Sequence, residues 1–278
     1  MINTQFKIQP VAAFYRLLAK SFIFILIVSL VLSTISFIVL KISLTHSLGP
    51  EGIKEMAQLI EEPSTDMMEQ SKAMQTFVLK HPSLVSLIFG ALILSLFFIS
   101  YLFFTTQHFL KNMSLGIKNK LSLLLIPNHS YFRILLFLLL ISGFLTFASG
   151  FIAISIAANP IMGIIAGLFI GSLFVRNCLL IPGLIIGEMN FSDSIKYSFQ
   201  TITLGRAFKI AIFGSLIFLV LSFILSALVY FPSLIVKTAS AKMYFNIVVF
   251  YLQIGCVSVG LKALFLRYGN FEEEKIAE

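Results

Sequence analysis

The sequence contains very little charge for its length. Of the 278 residues, 12% are charged and 58% are hydrophobic, and the mean hydropathy is +0.99. A soluble domain has about a quarter charged residues, so this chain has too few to cover a soluble surface. It also has no Trp, the usual interfacial anchor, which leaves that role to Tyr. We therefore predict an integral membrane protein.

Residues that carry chemistry are also scarce. The two cysteines, Cys178 and Cys256, lie in apolar segments and form no metal-binding or disulfide pattern. The sequence contains no nucleophile motif, phosphate-binding loop or metalloprotease motif. No Asp or Glu lies within a long apolar run, although proton-coupled transporters commonly use buried carboxylates. These absences favour a non-enzymatic protein with no catalytic residue, metal site or cofactor.

Long apolar runs make up most of the chain. A bilayer core of about 30 Å needs roughly 20 apolar residues per helix. Six runs reach this length, and their spacing predicts an all-α fold in which three transmembrane hairpins form a single domain over residues 1–278. The predicted spans are about 21–44, 82–106, 131–157, 162–187, 208–231 and 244–266.

The net charge of +8 comes from basic residues near the ends of these spans and does not indicate nucleic-acid binding. With the N-terminus inside, most Lys and Arg residues flank the inner ends of the spans, as the positive-inside rule requires. Both termini are therefore predicted to be cytoplasmic. The basic inner side also predicts contact with anionic lipid headgroups.

An amphipathic segment lies between the fourth and fifth predicted spans. It places Ile195, Phe199 and Ile202 on one helical face, and Ser192 is a candidate N-cap. A basic amphipathic helix beside a span is typical of segments that lie in the headgroup plane. We predict such a cytoplasmic in-plane helix within residues 187–207.

The same pattern recurs before the second hairpin and, more weakly, before the first. Residues 114–124 repeat the apolar spacing and the lysine position, and residues 11–20 form a shorter version. These copies predict three repeats, each an in-plane helix followed by a hairpin. The alternative is that any amphipathic cytoplasmic loop shows this spacing.

The one long outer connection, residues 45–81, is predicted to be a helical extracytoplasmic loop. Gly49 and Pro50 would begin one helix, which Pro63 would end. Asp66 would then cap a second helix that leads into the second span. The loop is acidic and rich in Met, and it would form a small cap on the outer face.

Glycines recur in the third and fourth predicted spans. Gly163, Gly167 and Gly171 occupy every fourth position, and the third span carries Gly143 and Gly150. Small residues at this spacing let helix backbones approach closely in a membrane. They therefore predict close packing of this hairpin, with a substrate passage as the alternative.

Arg176 interrupts the fourth predicted span, next to Asn177, without an acidic partner in any span. A charge in the bilayer is costly, so the guanidinium must be paired or hydrated. Its partners could be carbonyls freed by a helix break at Pro182, a lipid phosphate or a substrate. The candidate polar or lipid-binding site comprises Arg176, Asn177, Glu188, Arg206 and Lys209.

Residues 175–209 carry a spaced set of residues, with Phe199 directly after the serine: Arg176, Pro182, Glu188, Ser198, Gly205 and Lys209. This set resembles the pattern of the YciC-like inner-membrane proteins and of the membrane domain attached to some glycerophosphoryl diester phosphodiesterases, in which Trp usually stands where this chain has Phe199. The resemblance implies a multi-pass bacterial inner-membrane protein whose family has no assigned chemistry. No phosphodiesterase domain occurs in these 278 residues, so that activity is not implied.

These observations favour a non-enzymatic inner-membrane protein that binds lipid or a partner membrane protein, in envelope maintenance or as an accessory subunit. The alternative is a transporter or permease component, in which the segment around residues 191–203 would couple to an ATPase. That segment lacks the Glu-Ala-Ala pattern of permease coupling helices. An intramembrane enzyme is the third reading.

Overall fold

The structure is a computed structural model that describes residues 10–61, 67–116, 127–235 and 239–268. Within these ranges the chain is helical between short connections and contains no strand, which confirms the all-α fold class. The described helices are α1 (Pro10–Glu61), α2 (Met67–Lys80), α3 (Ser83–Ser114), α4 (His129–Ala158), α5 (Pro160–Arg176), α6 (Leu180–Ile185), α7 (Phe191–Thr201), α8 (Leu204–Ile235) and α9 (Ala239–Tyr268).

Four helical segments among the described residues are long and apolar enough to cross a membrane. A shorter apolar segment, Ile161–Leu173, lies in α5. The protein therefore has the character of a multi-pass membrane protein. The four segments are Ala12–Met56, Ser83–Ser114, His129–Ile152 and Ser240–Tyr268.

Six long helices form a closed ring in the order α1, α3, α4, α5, α8 and α9. Each packs against the next, and α9 returns to α1. Helices α3 and α9 also contact each other across the ring. The short helix α6 packs against α3, α4 and α9 and is buried along its whole length. It therefore fills one end of the bundle between these helices.

Helix α1 differs from the prediction at its N-terminal end. It runs from Pro10 without a break into the apolar segment, so residues 11–20 do not form a separate in-plane helix. Phe14 and Leu17 are buried in a cluster with Leu110 of α3. The apolar stripe in this segment is therefore covered by protein.

The predicted helix start after Gly49 is present as a sharp kink within α1. Gly49 has φ 65°, a backbone conformation that glycine adopts without strain, and Pro50 follows as the first residue of the next helical part. Beyond the kink, Ile53, Met56 and Leu59 of α1 pack against a buried cluster that contains Phe77 of α2. The two helical parts of the predicted cap thus pack together.

Three predicted features lie wholly or mostly outside the described residues. The helix end at Pro63 and the cap at Asp66 belong to residues 62–66, and most of the in-plane segment 114–124 belongs to residues 117–126. Of that segment, the first residue is the last residue of α3, and Leu115 and Gly116 form a turn.

Candidate functional site

The fourth predicted span is not one continuous helix. Helix α5 ends at Arg176, a turn covers residues 177–179, and α6 begins at Leu180. Pro182 is the third residue of α6, so the break precedes it. A proline ring clashes with the carbonyl four residues earlier, here that of Cys178, and this explains a break at the turn. The break therefore lies about one helical turn before the predicted position at Pro182.

Ser198 of α7 binds the backbone at this break. Its hydroxyl donates a hydrogen bond of 2.5 Å to the carbonyl of Arg176 and accepts one of 3.2 Å from the amide of Leu179. Ser198 is fully buried. One hydroxyl thus satisfies a carbonyl and an amide that the helix break leaves without helical partners.

The side chain of Arg176 reaches the C-terminal end of α7. Its Nε donates to the carbonyl of Ile202 at 3.0 Å, and its Nη2 donates to the carbonyl of Phe199 at 2.9 Å. The guanidinium also lies 4.5 Å from the centre of the Phe199 ring. A positive charge at this end of a helix is favoured because the last carbonyls carry a partial negative charge.

These contacts form a reciprocal joint between the α5–α6 break and α7. We call it the Arg176–Ser198 joint, comprising Arg176, Leu179, Ser198, Phe199 and Ile202. Arg176, at the break, binds a carbonyl in the last turn of α7 and the carbonyl of Ile202 that follows it. Ser198, in α7, binds the free carbonyl and amide at the break. The charge of Arg176 is therefore matched by backbone carbonyls from a different element, and not by carbonyls freed at Pro182.

A second arginine contacts the same end of α7. Arg206, at the start of α8, donates from Nη1 to the carbonyl of Thr201 at 2.8 Å. Its guanidinium lies 5.5 Å from the ring centre of Tyr268 in α9. Arg206 is exposed, so it keeps a charged surface where α7, α8 and α9 meet.

Helix α7 begins two residues earlier than the predicted N-cap implies. Its N-cap is Asn190 in place of Ser192: the Asn190 Oδ1 accepts from the Asp193 amide at 2.8 Å, and its Nδ2 donates to the Asp193 carboxylate at 2.6 Å. This exchange resembles a capping box, except that the Asp193 carboxylate accepts from the side chain of the N-cap residue and not from its backbone amide. The carboxylate also lies in the first turn, where negative charge is favourable.

The apolar stripe of α7 packs on protein. Phe191 and Ile195 contact the buried cluster formed by α3, α4 and α6, and Ile202 is fully buried. A Cβ at Gly183 of α6 would lie 3.2 Å from the hydroxyl of Ser194, so α6 and α7 approach closely. The stripe predicted to enter the headgroup region therefore holds α7 on the bundle instead.

Glu188 pairs with Lys111 of α3 rather than with Arg176. The Lys111 Nζ hydrogen-bonds the Glu188 carboxylate and donates to the carbonyl of Ile185 at 3.2 Å. The hydrogen bond and the charge of Lys111 lower the pKa of Glu188 below its usual range. The pair therefore supports the fold at neutral pH and is lost as acid protonates the carboxylate. It ties the end of α6 to α3.

The other candidate site residues do not join the Arg176–Ser198 joint. The Nδ2 of Asn177 donates to the carbonyl of Leu173 at 3.0 Å and so helps to end α5. Lys209 is exposed on the first turns of α8. The structure thus brings Arg176 and Arg206 to one end of α7, while Glu188, Asn177 and Lys209 lie apart.

Four of the five glycines predicted to pack in α4 and α5 have open space beside them among the described residues. A Cβ at Gly143, Gly150, Gly167 or Gly171 would meet no heavy atom of the described residues within 4 Å. Gly163 is buried, and α4 packs against α5 across the connection at Asn159. Glycine spacing shows that a helix face is smooth, but it does not show that a neighbour approaches that face.

One end of the bundle is strongly basic. It gathers the N-terminal parts of α1, α4 and α8, the C-terminal parts of α3 and α9, and helices α6 and α7. We call it the basic end. Its described carboxylates are Glu188 and Asp193. Its described basic residues are Arg16, Lys20, Lys111, Arg133, Arg176, Lys196, Arg206, Lys209, Lys262 and Arg267.

The α2 side of the bundle, which is the opposite end, has a more even balance of charge. It carries Lys72 and Lys242 among its exposed lysines, while Lys80 pairs with Glu55 at 2.8 Å and Glu51 lies nearby in sequence. The two ends therefore differ in charge in the same sense as the Lys and Arg residues that flank the predicted spans.

Sequence reasoning missed the contributions of Lys111 and Asn190. Lys111 is separated from Glu188 by 77 residues, so only the three-dimensional structure brings them together. Asn190 could have been recognised from the sequence, because it precedes the apolar stripe and asparagine is a preferred N-cap residue. Ser198 entered only through the family resemblance.

No family model, curated protein or solved structure matches this chain.

Proposed function

We propose that this protein is a non-enzymatic, multi-pass membrane protein whose basic end binds anionic lipid headgroups on the cytoplasmic side. The observation that carries this proposal is the surplus of arginine and lysine at that end. Lys196 and Lys209 are exposed there and have no hydrogen bond or ion pair with other described residues. Exposed charges of this kind remain available to an anionic surface.

The Arg176–Ser198 joint supports this proposal by fixing the geometry of the basic end. It holds α7, which carries Lys196, against the α5–α6 break. Arg206 then ties the end of α7 to the start of α8, which carries Lys209. A surface that is held in place loses less conformational freedom on binding. We therefore assign Arg176 to positioning and the exposed residues to headgroup contact.

We further propose six membrane crossings, with the basic end and both termini in the cytoplasm. Helix α8 has 32 residues, which corresponds to about 48 Å and exceeds a bilayer core of about 30 Å. Helix α5 has 17 residues, about 25 Å, and would cross with local thinning of the bilayer. The positive-inside rule supports this orientation.

The residues matched to the YciC-like pattern support membership of that bacterial inner-membrane family. Arg176, Ser198 and Phe199 meet in one joint, and Pro182 accounts for the break that the joint stabilises. A shared motif of this type is explained by a shared local architecture.

Removing the two exposed lysines of the basic end is expected to weaken anionic lipid binding. The detergent-solubilised chain would be titrated with phosphatidylglycerol and with zwitterionic phosphatidylethanolamine, and bound lipid counted by native mass spectrometry. Because each lysine near an anionic surface contributes about 1 kcal/mol, Lys196→Gln with Lys209→Gln should weaken phosphatidylglycerol binding by roughly 30-fold at low salt.

The matched control removes two exposed lysines from the opposite end, Lys72→Gln with Lys242→Gln. It should leave phosphatidylglycerol binding unchanged. Equal weakening in both variants, or equal affinity of the wild type for the two lipids, would refute the proposal. Co-purification of a stoichiometric ATPase would favour a transporter component instead.

A further inference from the structure

A groove lies between α1, α3 and α9, on the α2 side of the bundle. Its volume is 510 Å³, within the range of about 300–1,000 Å³ that is usual for small-molecule pockets. Residues 36–47 of α1, 86–95 of α3 and 247–251 of α9 contribute its walls. The groove is therefore built from three of the four segments that are apolar enough to cross a membrane.

Two apolar clusters bound the groove along the helices. Towards the basic end, Leu32, Leu102 and Tyr251 pack together. The hydroxyl of Tyr251 also hydrogen-bonds the hydroxyl of Ser36 at 2.9 Å. Towards the α2 side, Leu48 and Leu84 pack beneath α2. The groove therefore lies between these two clusters along the helix axes.

The walls of the groove favour an uncharged hydrocarbon. No Asp, Glu, Lys or Arg of the described residues lines it. The hydroxyls of Ser86 and Ser95 donate to carbonyls of their own helix, so they offer little to a ligand. A charged ligand would lose its hydration here without compensation.

Space and polarity within the groove are unevenly distributed. Gly90 lines it, and a Cβ at Gly90 would meet no heavy atom of the described residues within 4 Å, so the missing side chain leaves room. Ser43 and His46 lie near the α2 side of the groove. Neither has a side-chain hydrogen bond to another described residue. The groove thus has an apolar body and one hydrogen-bonding end.

We propose that this groove binds a phospholipid from the leaflet on the α2 side. One acyl chain lies along Gly90, and the ester region meets Ser43 and His46. The three helices that form the groove are proposed to span the bilayer, and the bilayer supplies acyl chains at high concentration. The apolar walls suit an acyl chain, which is apolar and carries no charge. This site is separate from the headgroup contacts at the basic end.

Filling the groove is expected to displace this lipid. Delipidated full-length protein would be titrated with phosphatidylethanolamine under native mass spectrometry. Gly90→Phe should weaken binding of one lipid by about tenfold or more, since excluding even two methylenes from burial has that effect. Gly143→Phe is the matched control, because Gly143 is also helical with open space but lies outside the groove.

Equal phosphatidylethanolamine binding by wild type and Gly90→Phe, or an equal loss in Gly143→Phe, would overturn the proposal. The rim variant Ser43→Ala with His46→Ala needs no repacking and gives an independent test. It should weaken binding by several-fold through lost hydrogen bonds, and unchanged binding would also overturn the proposal. Neither variant should alter the phosphatidylglycerol preference set by Lys196 and Lys209, so this site and the basic end are tested separately.

Discussion

Replacing Arg176 by alanine is expected to destabilise the folded protein by about 3 kcal/mol or more. The substitution removes two hydrogen bonds from a charged donor, each worth about 1.5–3 kcal/mol, and leaves the carbonyl of the fully buried Ile202 without this partner. Ser198→Ala should cost about 1–3 kcal/mol, because it leaves the amide of Leu179 at the helix break without its hydrogen-bond acceptor. Both changes should loosen α7.

Thermal unfolding of the detergent-solubilised variants would measure the stability, and hydrogen exchange of the α7 amides would locate the loss. Arg176→Lys should rescue little, because an ammonium lacks the fork that reaches two carbonyls. Lys196→Ala, on the exposed face of α7, is the control and should stay within about 0.5 kcal/mol of wild type. A stable Arg176→Ala variant that had lost lipid binding would instead assign Arg176 to the ligand.

Adding a methyl group at Gly255 is expected to destabilise the contact between α1 and α9. A Cβ there would lie 2.3 Å from the Cγ2 of Ile25, which is fully buried. This Cγ2 belongs to a β-branched side chain with one strongly preferred helical rotamer, so it cannot turn away at low cost. Gly255→Ala should therefore lower the free energy of unfolding by about 1–3 kcal/mol.

A double-mutant cycle isolates this clash. Ile25→Ala removes the obstructing methyl, so Gly255→Ala should cost much less in the Ile25→Ala background than in wild type. Gly260→Ala is the control on the same helix, because its Cβ would make an ordinary contact of 3.9 Å with Phe14. The helix propensity of alanine should make that control neutral or slightly stabilising. Equal effects of the two glycine substitutions would contradict this account of the packing.

Composition was sufficient to predict a helical membrane protein, because a chain with little charge and several apolar runs of about 20 residues is compatible with few other classes of fold. The kink after Gly49 was also predictable, since Gly followed by Pro is a strong local signal. The tight contact at Gly255 was not. It is formed by one glycine outside any repeat, and its partner, Ile25, is distant in sequence. The repeated glycines of α4 and α5, in contrast, leave open space at four described positions.

The sequence predicted that Arg176 needs a partner, and this followed from the cost of an unpaired charge in an apolar segment. It could not identify the partner, because the carbonyls of Phe199 and Ile202 are present in every sequence and become acceptors only where α7 ends. The resemblance placed Ser198 in the same motif as Arg176. In this chain the two residues meet through a reciprocal exchange of backbone caps.

The orientation of the basic end is the claim on which the lipid proposal rests most directly. Single cysteines would be placed at Lys72 and Lys196 in a background in which Cys178 and Cys256 are serine, and intact cells would be treated with a membrane-impermeant thiol reagent. We predict labelling of the Lys72→Cys variant in intact cells and labelling of the Lys196→Cys variant only after permeabilisation. Labelling of the Lys196→Cys variant in intact cells, with protection of the Lys72→Cys variant, would contradict the account.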